Sequence, residues 1–138
     1  MLKEILSIAG KPGLQKLISN TSNAIIVESL IDGKRFLAYS NAKIISLEDI
    51  SIYTEIEDMP LKEVFKRIYT KEEGKTAINH KESNEKIVAY FNEVLPEYDK
   101  DRVYTSDMKK IIQWYNLLIE KNLLNFTEET EDNEEEQK

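Results

Sequence analysis

The side chains that could support catalysis are few and lie far apart along this chain. The only histidine, His80, lies in a polar stretch with no cysteine and no second histidine beside it. The carboxylate pairs Glu48-Asp49 and Glu72-Glu73 are adjacent in sequence, and neighbouring side chains point apart more often than they converge on one reacting group. We therefore expect no catalytic residue and a protein that is not an enzyme.

The sequence also lacks the patterns of a cofactor or metal site. Gly10-Lys11-Pro12-Gly13 does not have the spacing of a phosphate-binding loop or of a dinucleotide-binding turn, and its composition is typical of a tight turn. The absence of cysteine excludes a zinc ribbon, an iron-sulfur site and a disulfide framework. We expect no metal and no cofactor.

The secondary-structure elements that would position a site change in kind at residues 43–70. There the repeat of apolar residues changes from two residues, typical of strands, to about 3.6 residues, typical of helices. Before this segment, short apolar runs between turn residues predict five strands, at residues 14–19, 24–30, 35–39, 43–47 and 50–53. Asp32-Gly33 between two of these runs is a strong hairpin signal. Residues 2–8 fit either one or two helical turns or the start of a strand.

Five short strands joined by tight turns would leave exposed edges if they formed a flat sheet. We therefore predict a small SH3-like β-barrel over residues 1–54, with an open meander covered by helices as the alternative.

After residue 55, apolar residues recur three and four positions apart, which predicts a three-helix module over residues 55–126. The first helix is predicted to begin at Asp58-Met59-Pro60 and to end at Gly74. Ser83 is predicted to cap the second, over residues 84–95, and Thr105 or Ser106 to cap the third and longest. The wide apolar arc of the third helix predicts that Trp114 is a core or inter-module residue. The predicted fold class is thus α+β, a five-stranded barrel followed by three helices.

The charge of the chain is concentrated at its C-terminal end. Residues 126–138 contain seven acidic side chains and one basic one, out of a net charge of −7 for the whole chain. Residues 127–138 contain no apolar side chain, so we predict a disordered acidic tail. The remainder is close to neutral, which argues against a strongly basic nucleic-acid surface. No apolar run approaches the roughly 20 residues that span a bilayer, and we expect a soluble, cytoplasmic protein that does not bind membranes.

Four stretches of the sequence carry a resemblance to a known group of proteins. The stretches GKPGLQKLIS, VESL, SLEDISIYT and LPEYDKDRVYTSDMKKIIQWYNLL are similar to those of a family of small uncharacterised proteins from Bacteroidota-type bacteria, classed as a domain of unknown function. The resemblance covers nearly the whole chain except the tail. It implies a bacterial cytoplasmic protein with a small β module followed by a helical one, and it implies no activity and no site residue.

The function that this sequence favours is a non-catalytic interaction module that binds a protein or peptide partner. The residues predicted to contact the partner are an arginine and four tyrosines: Tyr39, Tyr53, Tyr98, Arg102 and Tyr104. The alternative for the charged segment 96–104 is structural, with the tyrosine rings packed at the helix junction and the charges paired locally. Either a monomer or a homodimer fits the sequence.

Nucleic-acid binding is the second functional hypothesis. Small barrels also bind RNA or single-stranded DNA, and four basic residues cluster in sequence: Lys100, Arg102, Lys109 and Lys110. The alternative is that Lys109 and Lys110 are ordinary solvent-exposed lysines. The near-neutral charge of the chain without its tail and the spacing of these two lysines on the helix favour this alternative.

Overall fold

A computed structural model describes residues 2–39, 41–124 and 126 of the chain. The acidic tail predicted at residues 127–138 lies outside the described residues. The described chain is an α+β structure in which strands occupy the first half and helices the second.

The first half forms a five-stranded antiparallel sheet in the order β4-β3-β2-β1-β5. Its strands are β1 (Ile5–Ile8), β2 (Gln15–Asn20), β3 (Ala24–Ser29), β4 (Arg35–Tyr39) and β5 (Ile44–Ser46). The short apolar run at residues 5–8, which fits either a helical turn or a strand, is the strand β1, because it pairs with both β2 and β5. The sheet thus has one strand at the start of the chain in addition to four of the predicted ones.

The strand predicted at residues 50–53 does not belong to this sheet. After β5 the chain enters a 3-10 helix, Leu47–Asp49, whose first turn is capped where Glu48 N donates to Ser46 Oγ at 3.2 Å. β6 (Ser51–Ile52), which begins one residue after Ile50, pairs instead with β7 (Met59–Pro60) in a separate two-stranded ladder.

The described strands form an open sheet, so the small SH3-like barrel predicted for residues 1–54 is not confirmed. β4 and β5 are its two edges, and no ladder joins them in the part of the chain that the structure describes. β5 ends after three residues, where the 3-10 helix turns the chain toward the helices, and it is not extended to meet β4. β1 to β4 follow one another as in the alternative of an open meander, whereas β5 crosses over to pair with β1.

The hairpin predicted from Asp32-Gly33 is confirmed, with a looser turn than the pattern suggests. β3 pairs with β4 through five residue pairs, from Ala24 opposite Tyr39 to Glu28 opposite Arg35. Gly33 alone of the two turn residues has a positive φ, of 77°. The connection therefore spans residues 30–34 and is not a two-residue turn.

Three helices follow, close to the predicted positions: α1 (Leu61–Glu72), α2 (Asn84–Val94) and α3 (Thr105–Glu120). α1 ends because Glu73 and Gly74 both adopt positive φ. Ser83 caps α2 as predicted, since its hydroxyl accepts from Lys86 N at 3.3 Å. α3 begins at Thr105, and Asp107 caps it by accepting from Tyr104 N at 3.0 Å.

The sheet and the helices share one apolar core. It includes Leu14 and Leu47 from the first half, which are fully buried with Phe65 of α1, Phe91 of α2 and Ile112 of α3. A second, smaller apolar cluster lies on the face of the sheet opposite to the one that packs against the helices. It is built around four buried side chains: Leu6, Ile8, Val27 and Ala38. The shared core places β6 and the N-terminal half of α3 next to each other.

Candidate functional site

A cleft of about 220 Å³ lies between the β6 segment and the N-terminal half of α3. We call it the β6–α3 cleft. One wall is residues 50–53, and the other consists of residues 102 and 103 together with the exposed side of α3. The lining residues are Ile50, Ser51, Ile52, Tyr53, Arg102, Val103, Asp107, Lys110, Ile111 and Trp114.

The β6 wall is held in place by main-chain hydrogen bonds to the loop that follows α2. Asp99 N donates to Tyr53 O at 3.0 Å, and Glu55 N donates to Glu97 O at 2.9 Å. These two bonds flank an antiparallel bridge between Thr54 and Tyr98. This short piece of sheet fixes the β6 segment relative to residues 102 and 103, although about 45 residues separate the bridged residues 54 and 98 in sequence.

Thr54 fixes the turn that follows this wall. Its side chain is buried, and its hydroxyl accepts from Glu57 N at 3.0 Å and from Ile56 N at 3.2 Å while donating to Glu57 O. A turn with its polar groups satisfied in this way is pre-organised. It holds the Ile56 side chain in solvent, where 83% of the residue's surface is exposed.

The rim of the cleft carries an arginine stacked on a tyrosine. The Arg102 guanidinium lies 4.2 Å from the centre of the Tyr53 ring, in the geometry of a cation–π contact. Arg102 Nε also donates to Asp99 Oδ2 at 2.9 Å. This hydrogen bond raises the pKa of Arg102 and lowers the pKa of Asp99, so the pair is ionised at neutral pH.

The α3 wall presents four residues at helical spacing. Asp107, Lys110, Ile111 and Trp114 follow one another at i, i+3, i+4 and i+7, so they share one side of the helix. Ile111 is buried at the base and Trp114 is half-buried against the core. Lys110 is exposed, and within residues 2–39, 41–124 and 126 it makes no ion pair. The cleft therefore combines an apolar base with one unpaired positive charge.

The predicted partner-binding residues do not form a single site. Tyr53 and Arg102 come together in the cleft. Tyr98 is buried, and its ring packs edge-on against Phe91 at 5.4 Å, which is the packing role given as the alternative. Tyr104 and Tyr39 are more than half exposed and do not line the cleft, and Tyr39 lies on the edge strand β4.

Sequence reasoning missed Trp114 and Lys110 as lining residues. The wide apolar arc of α3 was a signal that could have found Trp114, because an arc of that width extends past the surface that one core can cover. Nothing in the local sequence distinguishes Lys110 from an ordinary exposed lysine.

Elsewhere in the described residues, no arrangement of side chains indicates a catalytic or metal site. Among the described residues, no group of three or more His, Cys, Asp or Glu side chains could hold a metal ion. Burial, with smaller effects from Lys81 and Lys109, lowers the pKa of His80, so this imidazole is neutral at pH 7. None of the described helices is long and apolar enough to cross a membrane.

The described residues form a small α+β protein that has an open sheet, three helices and a cleft between the β6 segment and α3. Residues 50–118 match the family model of a domain of unknown function, DUF6852, and residues 2–47 match that of a second domain of unknown function, DUF5606. Because the first match covers half of the chain, this protein belongs to the DUF6852 family. All residues that line the cleft lie within that match.

A solved structure supports the same assignment. The solution NMR structure of a structural genomics target from Bacteroides vulgatus is 52% identical to this chain over 91% of each chain, with a TM-score of 0.74. The resemblance to an uncharacterised Bacteroidota family is thereby confirmed. The comparison with curated proteins gives no match.

Proposed function

We propose that this protein is a non-catalytic interaction module of the bacterial cytoplasm that binds a protein or peptide partner in the β6–α3 cleft. The observation that carries the proposal is the composition of this cleft. An apolar base at Ile52 and Ile111 is bordered by the aromatic rings of Tyr53 and Trp114 and by the unpaired charge of Lys110. Aromatic and arginine side chains around an apolar centre are typical of protein-binding surfaces.

The size of the cleft supports a peptide over a small-molecule ligand. Pockets for drug-sized ligands and cofactors have volumes of about 300–1,000 Å³, and this cleft measures about 220 Å³ and is open to solvent. Such a volume suits one anchoring side chain of a longer partner. The partner's adjacent residues would then contact the rim and Ile56, whose ordered turn begins directly after Tyr53.

Nucleic-acid binding receives less support from the positions of the basic residues. Arg102 is bound to Asp99, and the Lys100 ammonium lies 4.4 Å over the ring of Tyr98. Asp107 adds a negative charge to the cleft wall that Lys110 shares. A single-strand binding groove needs a continuous positive track with exposed stacking rings, and we favour a protein partner for that reason.

A peptide selection with matched variants tests the proposal. The protein is immobilised and used to select from a displayed random peptide library, with nuclease present throughout. We expect an enriched motif with an apolar anchor whose capture falls at least tenfold for Tyr53→Ala and for Lys110→Glu. Tyr39→Ala removes a somewhat more exposed tyrosine from the sheet edge, 52% against 43% for Tyr53, and should leave capture unchanged.

Two results would count against the proposal. Equal loss with Tyr39→Ala would place binding outside the cleft. A protein that selects no peptide, and whose cellular ligands in a pull-down disappear on nuclease treatment, would favour RNA or single-stranded DNA instead.

A further inference from the structure

The edge strand β4 has a feature that the cleft does not explain. It ends the sheet, and two of its large apolar residues are about half exposed, Leu37 at 48% and Tyr39 at 52%. Edge strands of soluble proteins are commonly protected by proline, by a bulge, by charged side chains or by a covering element. β4 (Arg35–Tyr39) contains no proline, the irregularity in this sheet lies in β2, between Leu17 and Ser19, and the one charged residue of β4, Arg35, is paired with Glu28.

The hydrogen bonds of β3 determine which main-chain groups of β4 point outward. Ser29 N donates to Lys34 O, whereas Leu30 N donates to Leu14 O on the other side of β3. Because these directions alternate along an antiparallel ladder, Phe36 and Ala38 bond inward to β3. The N–H groups of Arg35, Leu37 and Tyr39 and the C=O groups of Arg35 and Leu37 therefore point away from the sheet. The C=O of Tyr39 instead accepts from Ala42 N at 2.9 Å in the turn after β4.

This pattern is self-complementary. We propose that two copies of this chain associate by antiparallel pairing of β4 with β4 of the second copy, about a two-fold axis at Leu37. Leu37 then lies opposite Leu37 of the second copy, and Arg35 lies opposite Tyr39 of the second copy. Leu37 and Leu37 of the second copy can exchange both of their main-chain hydrogen bonds, and Tyr39 N can donate to Arg35 O of the second copy, whereas Tyr39 O already accepts from Ala42 N.

The side chains fit the same register. Arg35, Leu37 and Tyr39 share one face of the strand, so the pairing places leucine beside leucine and arginine beside tyrosine. No like charges face each other, because Arg35 meets Tyr39 and not a second Arg35. Glu28 Oε1 accepts from Arg35 Nε at 3.0 Å and holds the arginine on that face.

The other edge strand offers a poorer surface and a matched control. β5 has three residues, and its exposed side chain, Ile45 at 51%, is as accessible as Leu37. A second copy is thus favoured at β4 by the length and register of the strand and not by exposure alone. The pairing uses residues outside the β6–α3 cleft and does not depend on its ligand.

The test measures the mass of the full chain in solution by sedimentation or light scattering across a range of concentrations. We expect the wild type to approach twice the 16.1 kDa chain mass. Leu37→Arg places two positive charges beside each other at the axis and should return the mass to that of one chain. Ile45→Arg should leave the dimer intact.

A cross-link gives an independent measurement. The chain has no cysteine, so a single introduced one is unique. Paired residues at such a site have Cα atoms about 5.5 Å apart, within the range that a disulfide spans. Leu37→Cys should therefore oxidise to a covalent dimer much faster than Ile45→Cys. The proposal is overturned by a wild type that stays at the single-chain mass up to its solubility limit, by dissociation with Ile45→Arg, or by equal cross-linking of the two cysteine variants.

Discussion

Replacing Tyr90 by phenylalanine removes one hydroxyl from the contact between α1 and α2. Tyr90 is buried, and its hydroxyl donates to Glu72 Oε2 at 2.5 Å. The Lys71 ammonium lies 5.5 Å from the ring centre and does not depend on the hydroxyl. The substitution therefore removes a single hydrogen bond to a carboxylate and leaves the packing of the ring in place.

The expected loss follows from the surroundings of Glu72. Hydrogen bonds to charged groups contribute about 1.5–3 kcal/mol. Glu72 is half-buried, so water can take the place of the lost donor, and we expect the lower end of this range. The free energy of unfolding should fall by about 1.5 kcal/mol, which lowers Tm by roughly 5 °C for a chain of this length.

Denaturant unfolding followed by circular dichroism measures this difference. Tyr104→Phe is the control, since that residue is 63% exposed and exposed substitutions change stability by less than about 0.5 kcal/mol. A Tyr90→Phe variant as stable as Tyr104→Phe would refute the role assigned to this hydrogen bond. A loss well above about 3 kcal/mol would also contradict it, because more than one hydrogen bond would then have been removed.

Two further predictions concern alkaline pH and a glycine. Burial raises the pKa of Tyr90 and of Tyr115 above their unfolded value of about 10. The stability that these two neutral side chains contribute is therefore complete below pH 10 and is lost as the pH rises above 10. Tyr90→Phe should flatten this decline in an alkaline unfolding titration, and an unchanged slope would contradict the prediction. Gly13→Ala would place a Cβ 2.5 Å from Ile31 Cδ1, whereas Gly33→Ala meets nothing within 4 Å. Both have positive φ, and the Ile31 side chain is about half exposed and can turn aside at a small cost. We therefore expect Gly13→Ala to be the less stable variant by no more than about 1 kcal/mol in thermal unfolding, and a larger difference would show that Ile31 is held in place.

The helices and the central hairpin could be predicted from sequence because local rules specify them. Ser83 caps α2 where the polar residue precedes the apolar stripe, and Gly74 follows the end of α1. Asp32-Gly33 identified the β3–β4 hairpin. In each case the signal and the structure lie within a few residues of each other.

The open sheet could not be predicted, because it depends on pairings between distant segments. The run at residues 5–8 is short enough to fit a helical turn or a strand, and only its pairing with β2 and β5 selects the strand. The segment 50–53 alternates like a strand of the main sheet, yet β6 pairs with β7 instead. Counting alternating segments gave the right number of strands in the sheet and four of its five members, with residues 50–53 in the place of β1.

Only some of the cleft residues could be predicted from sequence, because pairing between distant segments also brings the cleft together. Tyr53 and Arg102 were chosen for residue type, and the main-chain bonds between residues 53–55 and 97–99 bring them together. Tyr98 is of the same type but faces the core, since it is the bridge partner of Thr54. Residue type suggested the chemistry, and long-range pairing decided which residues reach the surface.

The most direct test of partner binding in the β6–α3 cleft uses Trp114, the only tryptophan of the chain and a residue of the cleft wall. A selected peptide is titrated into the protein while the tryptophan fluorescence is recorded, with a peptide that itself lacks tryptophan. We predict a saturable change in emission for the wild type and for Tyr39→Ala, and a titration shifted at least tenfold to higher peptide concentration for Lys110→Glu. A peptide that binds by calorimetry but leaves the emission of Trp114 unchanged, or that binds Lys110→Glu equally well, would contradict the assignment of the cleft as the binding site.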